Sequence, residues 1–196
     1  MKRTVGIFMF NEVEVLDFAG PFEVFSLAKL LDTDEKAFNV KLISQSEEPV
    51  TARNGLKVVP DFSFFNHPPI DILIIPGGYG AEEIEIHNQT ALNWIVQQES
   101  KVEILASVCT GALLLAKAGL LDGRKATTHW MDTDRLEQEF PKVSVQRDVK
   151  FVDEGSIITS GGISAGINMS FHIVSRLHGN EVARNTAKRM EYDMDM

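Results

Sequence analysis

The 196-residue chain carries nineteen Lys and Arg side chains against twenty-eight Asp and Glu, a formal net charge of −9. That balance argues against a nucleic-acid footprint and against attraction to anionic membrane surfaces, and leaves a small molecule as the expected partner. With 44% hydrophobic and 24% charged residues and a mean hydropathy near zero, the composition is that of a globular protein able to bury a sizeable core, not of a disordered chain.

The amino terminus has two basic residues and an apolar run, but Asn11, Glu12 and Glu14 break it early. Neither a signal peptide nor a membrane helix is expected. One cysteine, Cys109, supplies no internal disulfide and no zinc cluster, which fits a reducing cytoplasm.

In chain order, Thr4 to Phe10 (TVGIFMF) predicts a first, buried strand ended by Asn11-Glu12. In VEVLDFAGPFEVFSLAKLL, Gly20-Pro21 predicts a helix from about Pro21 to Leu31, with proline in the first turn, where its missing N–H costs nothing. Phe38 to Ser44 alternates as a strand does, and Asn54-Gly55 marks a turn between two short extended pieces ending near Val59. Asp71 to Pro76 is apolar without alternation, the pattern of a strand covered on both faces of a parallel sheet. Gly77-Gly78-Tyr79-Gly80 follows as a loop, and helical stretches are predicted at about Ala81 to Ile86 and Gln89 to Glu99.

The next stretch, EILASVCTGALLLAK from Glu103 to Lys117, organises the chain. A short apolar run (Ile104, Leu105, Ala106, Val108) stops at Cys109-Thr110-Gly111 and resumes as a helix with Leu113, Leu114 and Leu115. A strand that enters a helix with no loop between puts Cys109 on a sharp turn. The N–H groups that open a helix lack intrahelical partners and carry the positive end of its dipole. A thiolate is expected to be favoured there, its pKa lowered and its nucleophilicity raised. The small residues Ser107, Gly111 and Ala112 fit close backbone approach.

Downstream, Leu121-Asp122-Gly123 reads as a turn, Ala126 to His129 as a short strand, and Asp132 to Phe140 as a polar helix closed by Pro141. Val143 to Gln146, Val149 to Val152 and Ser156 to Thr159 read as short strands, with Asp153-Glu154-Gly155 a hairpin turn. SGGISAG, from Ser160 to Gly166, opens an apolar helix through Leu177, and a last helix runs from about Asn180 to Met190. No repeat, low-complexity tract or linker intervenes, so residues 1–196 are expected to form one α/β domain. Alternating strands and helices predict a sandwich with a mostly parallel central sheet and helices on both faces. In such sheets ligands sit at the carboxyl ends of the strands. Three polar or glycine-rich segments fall there: Gly77 to Gly80, Cys109 to Gly111, and Ser160 to Gly162.

Several pieces together resemble the DJ-1/PfpI superfamily, and within it the isocyanide (isonitrile) hydratase group: VLDFAGPFEVF, IIPGGYG, SVCTGALLLAKAGLLDGRKATTHW, ITSGGISAGINMSFHIVSRLHG and AKRMEYD. The ligand-sensing domains of some AraC-type regulators share these motifs. The resemblance implies a flavodoxin-like sheet, as in class I glutamine amidotransferase-like domains, with the cysteine on a strained elbow, usually in a homodimer. By the same resemblance, Cys109 falls on the nucleophile and Asp17 on an acidic residue approaching it from the first strand-to-helix loop. Gly77 and Gly78 fall on a loop whose N–H groups face the nucleophile, and Thr110 on the residue beside it. PfpI-type proteases carry histidine at that position, so their Cys-His arrangement is missing here.

The activity this implies is hydration of an isocyanide to an N-substituted formamide through a covalent thioimidate. Cys109 and Asp17 would be catalytic, Gly78 and Thr110 would stabilise the intermediate, and Gly77, Tyr79, His129, Gly162 and Ile163 would line the pocket. No cofactor is required, because nucleophile and acid/base are both side chains. No metal is expected either, since His67, His87, His172 and His178 show no ligand spacing. Other readings stand beside it. Asp17 by itself suits a turn before Gly20-Pro21, His129 suits a strand cap or a contact with Trp130, and Cys109 suits reversible oxidation or a ligand-sensing role.

Overall fold

Strand β1 (Arg3–Met9) leads into helix α1 (Val15–Leu27), and β2 (Phe38–Ser44) returns beside β1. The small hairpin β3 (Val50–Thr51) and β4 (Lys57–Val58) and the edge strand β5 (Phe62–Ser63) follow, then β6 (Ile72–Ile75), α2 (Gln89–Glu99), β7 (Ile104–Val108) and α3 (Gly111–Lys117). The remainder is β8 (Lys125–Ala126), α4 (Thr133–Glu139), β9 (Ser144–Val145), β10 (Phe151–Asp153), β11 (Ile157–Ser160), α5 (Ala165–His178) and α6 (Asn180–Arg189). The computed structural model describes residues 2–31, 33 and 35–194.

Seven strands form the central sheet in the order β10-β11-β7-β6-β1-β2-β5. Every pairing is parallel except the β10–β11 hairpin, which turns at Gly155, a glycine at φ 89°. Helices α1, α5 and α6 pack together on one face, and α2 and α3 cover the other. This explains why β6 and β7 are apolar without alternation: all four residues of β6 and all five of β7 are buried. An aromatic cluster extends the core toward the β5 edge, with Phe64 stacked on Trp94 at 4.1 Å and Phe8 tilted against both.

The order of strands places a switch point between β1 and β6, since the chain leaves β1 toward β2 and later returns to β1's other side. Crevices open at such points beyond the carboxyl ends of the strands. Here the crevice edges are stitched by backbone bonds: Glu14 N–H donates to the Gly77 carbonyl at 2.9 Å, and Gly80 N–H to the Glu12 carbonyl at 3.1 Å.

Two sequence expectations are corrected. Helix α1 begins at Val15, so Pro21 sits inside it and not in its first turn, and the helix ends at Leu27. Proline deletes only the one bond that its N–H would give to the carbonyl four residues earlier, that of Asp17. Burial of Phe18, Val24 and Phe25 holds the helix through the gap. The strand expected from Ala126 to His129 stops after Ala126, because His129 caps a 3₁₀ turn at Trp130–Asp132. Strand β5 was not anticipated; two residues between Asp61 and Phe64 carry too little pattern to read.

Helix α3 seats directly on β6 through Gly111, where a Cβ would stand 2.1 Å from the Ile75 carbonyl oxygen and 2.8 Å from that of Pro76. Gly111→Ala is therefore expected to cost about 1–3 kcal/mol, read as a lower urea midpoint at unchanged slope. An unchanged midpoint would show that this contact does not hold α3.

Candidate active site at the Cys109 elbow

Cys109 joins β7 to α3 with φ 55°, a left-handed conformation that a side-chain-bearing residue adopts at a cost. The surrounding chain fastens it. Its N–H donates to the carbonyls of Ser160 (3.1 Å) and Gly161 (3.3 Å) at the end of β11. Its carbonyl accepts the Thr128 hydroxyl at 2.9 Å. The sulfur points into a space that Gly162 leaves open: a Cβ on Gly162 would lie 2.7 Å from Cys109 Sγ and 2.5 Å from His129 Cδ2. Cys109 is 5% exposed.

Asp17 lies in the first turn of α1, not on the loop before it as the resemblance implied, and is fully buried. Its Oδ2 accepts the Gly77 N–H at 3.0 Å. Its Oδ1 has no hydrogen-bond partner of full geometry among the described residues. Burial is the largest effect on this carboxyl and pushes its pKa up to about 7; the Glu14 and Glu82 charges add to the rise, while the Gly77 N–H and the nearby Cys109 thiol oppose it.

The thiol is pushed up as well, first by burial and then by the Asp17 charge, with the Thr110 N–H and hydroxyl pulling the other way. This corrects the expectation of a thiolate favoured by the helix end. Helix α3 has only seven residues, and loss of bulk water around the sulfur outweighs what its first N–H groups supply. The resting pair is a neutral thiol beside a carboxyl group that titrates near neutrality.

The glycine N–H groups are also placed differently from expectation. Gly77 gives its N–H to Asp17, and Gly78 gives its N–H to Thr110 Oγ1 at 2.9 Å. Both N–H groups are thereby already engaged by side chains. The result is a relay in which Gly78 orients Thr110, and the Thr110 hydroxyl and N–H act on Cys109.

His129 shares the Gly162 gap with the sulfur, but its Nδ1 faces the Met131 N–H at 3.4 Å and Asp132 Oδ2 at 3.6 Å, and its ring lies 5.9 Å from that of Trp130. Both the pocket and the capping readings of this residue have a contact behind them. Tyr79 and Ile163, each next to a site glycine, are 49% and 38% exposed and stand outside the buried pair. Sequence reasoning missed Thr128 and the charges of Glu14 and Glu82; Thr128 hides in the Thr-Thr pair before His129, and nothing in the spacing of the two glutamates sets them beside Asp17. No group of three or more His, Cys, Asp or Glu side chains among the described residues is placed to hold a metal ion.

A mostly parallel α/β sheet with a cysteine on a positive-φ elbow, facing a buried carboxyl group from the first helix, defines a class of cysteine-elbow sandwich proteins. Residues 3–176 match the DJ-1/PfpI family. The chain belongs to that family. The isonitrile hydratase of Pseudomonas putida is 35% identical over 192 residues, 98% of this chain and 79% of that protein. The HTH-type transcriptional regulator GbdR of Pseudomonas aeruginosa is 27% identical over 97% of this chain, which spans about half (51%) of the regulator's length. Among solved structures, Drosophila melanogaster DJ-1beta superposes with a TM-score of 0.83 at 21% identity, covering 98% of this chain and all of that one. A THiJ/PfpI family protein from Pseudomonas syringae gives 0.84 at 27% identity, over 100% of this chain and 77% of that chain.

Because the folded Asp17 pKa lies above its unfolded value of 3.8, the folded state binds the extra proton, and stability falls as pH rises from about 4 to 7. The cost above pH 7 is on the order of 4 kcal/mol. Asp17→Asn is expected to unfold at higher urea than the parent at pH 8, with the gap closing near pH 4; a gap independent of pH would contradict a buried titrating carboxyl. Gly162→Ala is expected to slow iodoacetamide labelling of Cys109 by about 10-fold or more, by forcing the sulfur and the imidazole apart. Unchanged labelling would place the approach to sulfur elsewhere.

Proposed function

We propose that the protein is a cysteine-dependent isocyanide hydratase, with Cys109 as nucleophile and Asp17 as proton carrier. The observation that carries the reading is the fully buried Asp17 carboxyl, whose backbone donor is the Gly77 N–H, beside a thiol that burial keeps neutral. Above pH 7 the proton rests on sulfur and the charge on Asp17.

Asp17 takes the thiol proton as Sγ bonds to the terminal carbon of R–N≡C, and returns that proton to the same carbon. The product is the neutral thioimidate Cys–S–CH=N–R. Water then adds at the thioimidate carbon, and one of its protons passes through Asp17 to nitrogen. The C–S bond breaks, the remaining hydroxyl proton returns to sulfur, and R–NH–CHO departs. Thr110, oriented by Gly78, donates to the sulfur while it carries charge. Tyr79, His129, Ile163 and the backbone of Gly77 and Gly162 bound the approach.

Three features favour an isocyanide. Its reacting carbon is the thin end of a linear group, able to reach a sulfur that is 5% exposed. It is uncharged, which suits a site where Glu14 and Glu82 add negative potential. The residue after the cysteine is threonine, so the Cys-His pairing of the proteases is lacking. The similarity to an isonitrile hydratase over nearly the whole chain supports the same reading. A ligand-sensing role is the second reading, on the strength of the regulators that match along about half their length.

We also propose a cytoplasmic homodimer. The half-exposed Leu16 and Phe22 on α1 supply apolar surface for it, and sedimentation as monomer alone would remove this part.

With an aryl isocyanide, formamide is expected as the product. Cys109→Ser should lower turnover by at least about 10³-fold and Asp17→Asn by at least about 10²-fold, without loss of fold. In the parent, kcat/KM should rise with pH to a plateau above about 7, since Asp17 acts as base only when ionised. Saturable isocyanide binding with no formamide would favour the sensor.

A further inference from the structure

A cleft of about 500 Å³ lies beside the elbow, in the size range of small-molecule sites. Thr128, Trp130 and Gly162 are among the residues that wall it. Two of these three also meet Cys109. Thr128 donates its hydroxyl to the Cys109 carbonyl at 2.9 Å, and Gly162 borders the sulfur so closely that a Cβ there would lie 2.7 Å from Sγ. With only hydrogen at Gly162, the cleft and the gap around the sulfur share one thin backbone wall.

The same gap leads to Trp130. A Cβ on Gly162 would stand 2.5 Å from His129 Cδ2, and the His129 ring is 5.9 Å from that of Trp130. Trp130 is 76% exposed, against 5% for Trp94, the chain's other tryptophan. So much open indole runs against the usual burial of this side chain. Its backbone is nonetheless fixed: the Thr133 hydroxyl donates to the Trp130 carbonyl at 3.0 Å, and the Asp132 N–H to the His129 carbonyl at 2.9 Å. The indole is therefore carried by an anchored turn at the rim of the cleft. Arg147, Asp148 and Lys150 stand in the same lining and include both signs of charge, so the lining selects for shape more than for net charge.

We propose that this cleft holds the organic substituent of the substrate that reacts at Cys109, and that Trp130 selects an aromatic one. The ring of an aryl or arylmethyl isocyanide lies on the indole while its linear N≡C group passes beside Gly162 to Sγ. The inference rests on the hydratase reading for the reacting group and goes beyond it in naming the class of substituent. Aromatic pairs gain more than the area they bury, and a side chain already fixed at its backbone loses little freedom when a ring settles on it.

The test compares kcat/KM for phenyl, benzyl and methyl isocyanide in the parent, in Trp130→Ala and in Trp130→Phe; each compound's intrinsic reactivity cancels in the ratio of variant to parent. Trp130→Ala is expected to lower kcat/KM for the two aromatic compounds at least about 5-fold more than for methyl isocyanide, chiefly through KM, and Trp130→Phe to restore most of that loss. An equal loss on all three, or none, overturns the proposal. Binding is read separately in Cys109→Ser by tryptophan fluorescence. Phenyl isocyanide should quench it saturably and methyl isocyanide should not, and the effect should vanish when Trp130→Ala is added. Such quenching with no formamide from the parent would refute the hydratase reading and uphold the aromatic cleft. Formamide formed without any dependence on Trp130 would do the reverse, and neither quenching nor turnover would remove both.

Discussion

A carboxyl group kept out of water beside a sulfur atom is the constraint on which the rest of this structure depends. Asp17 is fully buried and has one strong donor, the Gly77 N–H, where a carboxylate can accept several. Folding around it opposes stability at neutral pH, so the surrounding sheet must be stable enough to hold it. The unalternating apolar strands β6 and β7, buried along their whole length, supply that reserve directly beneath the site. A group that were merely structural would be expected to find partners for both oxygens.

The elbow follows the same logic. Cys109 at φ 55° is a conformation the chain does not adopt spontaneously. It persists because two separate segments fix it: the Ser160 and Gly161 carbonyls at the end of β11 accept its N–H, and the Thr128 hydroxyl donates to its carbonyl. Strain held by long-range bonds locates the sulfur more closely than a loop would, because each anchor belongs to the sheet or packs against it. The backbone N–H groups of Gly77 and Gly78 serve this positioning first. They orient Asp17 and Thr110, and through those side chains they act on the sulfur.

Much of this was legible in the sequence, for physical reasons that can be named. Strand β2, helix α2 and strand β7 coincide with the stretches read from alternation, helical patterning and apolar runs, because each is long enough for its period to repeat. The mostly parallel sheet followed from the unalternating DILIIP run, and Cys109 from the absence of any loop between β7 and α3. Pro21 misled because its effect on a helix depends on packing elsewhere: Phe18, Val24 and Phe25 bury strongly enough to carry α1 across the missing bond. The sign of the Cys109 shift was equally illegible. A helix end is a local feature, whereas desolvation depends on how much of the fold closes over the sulfur. Asp17 was singled out through family resemblance; that its carboxyl is fully buried and takes the Gly77 N–H depends on how α1 packs against the loop after β6.

A cavity on the outer face of α5 escaped the sequence for a related reason: its lining residues come from the chain around β10, from α5 and from α6, with no motif linking them. It is nonetheless tied to the elbow by geometry. Lys150 and Asn168 also line a neighbouring cleft of about 500 Å³ whose wall includes Gly161 and Gly162, and α5 begins at Ala165, three residues after Gly162. The wall of that cleft is thus the same segment that sets the clearance around Cys109 Sγ. With less room there than a single Cβ requires, a small displacement of this segment alters the space at the sulfur directly, because a close-packed interior has no slack to absorb it. The enclosed elbow and the open cleft beside it therefore share one stretch of backbone, that of Gly161 and Gly162.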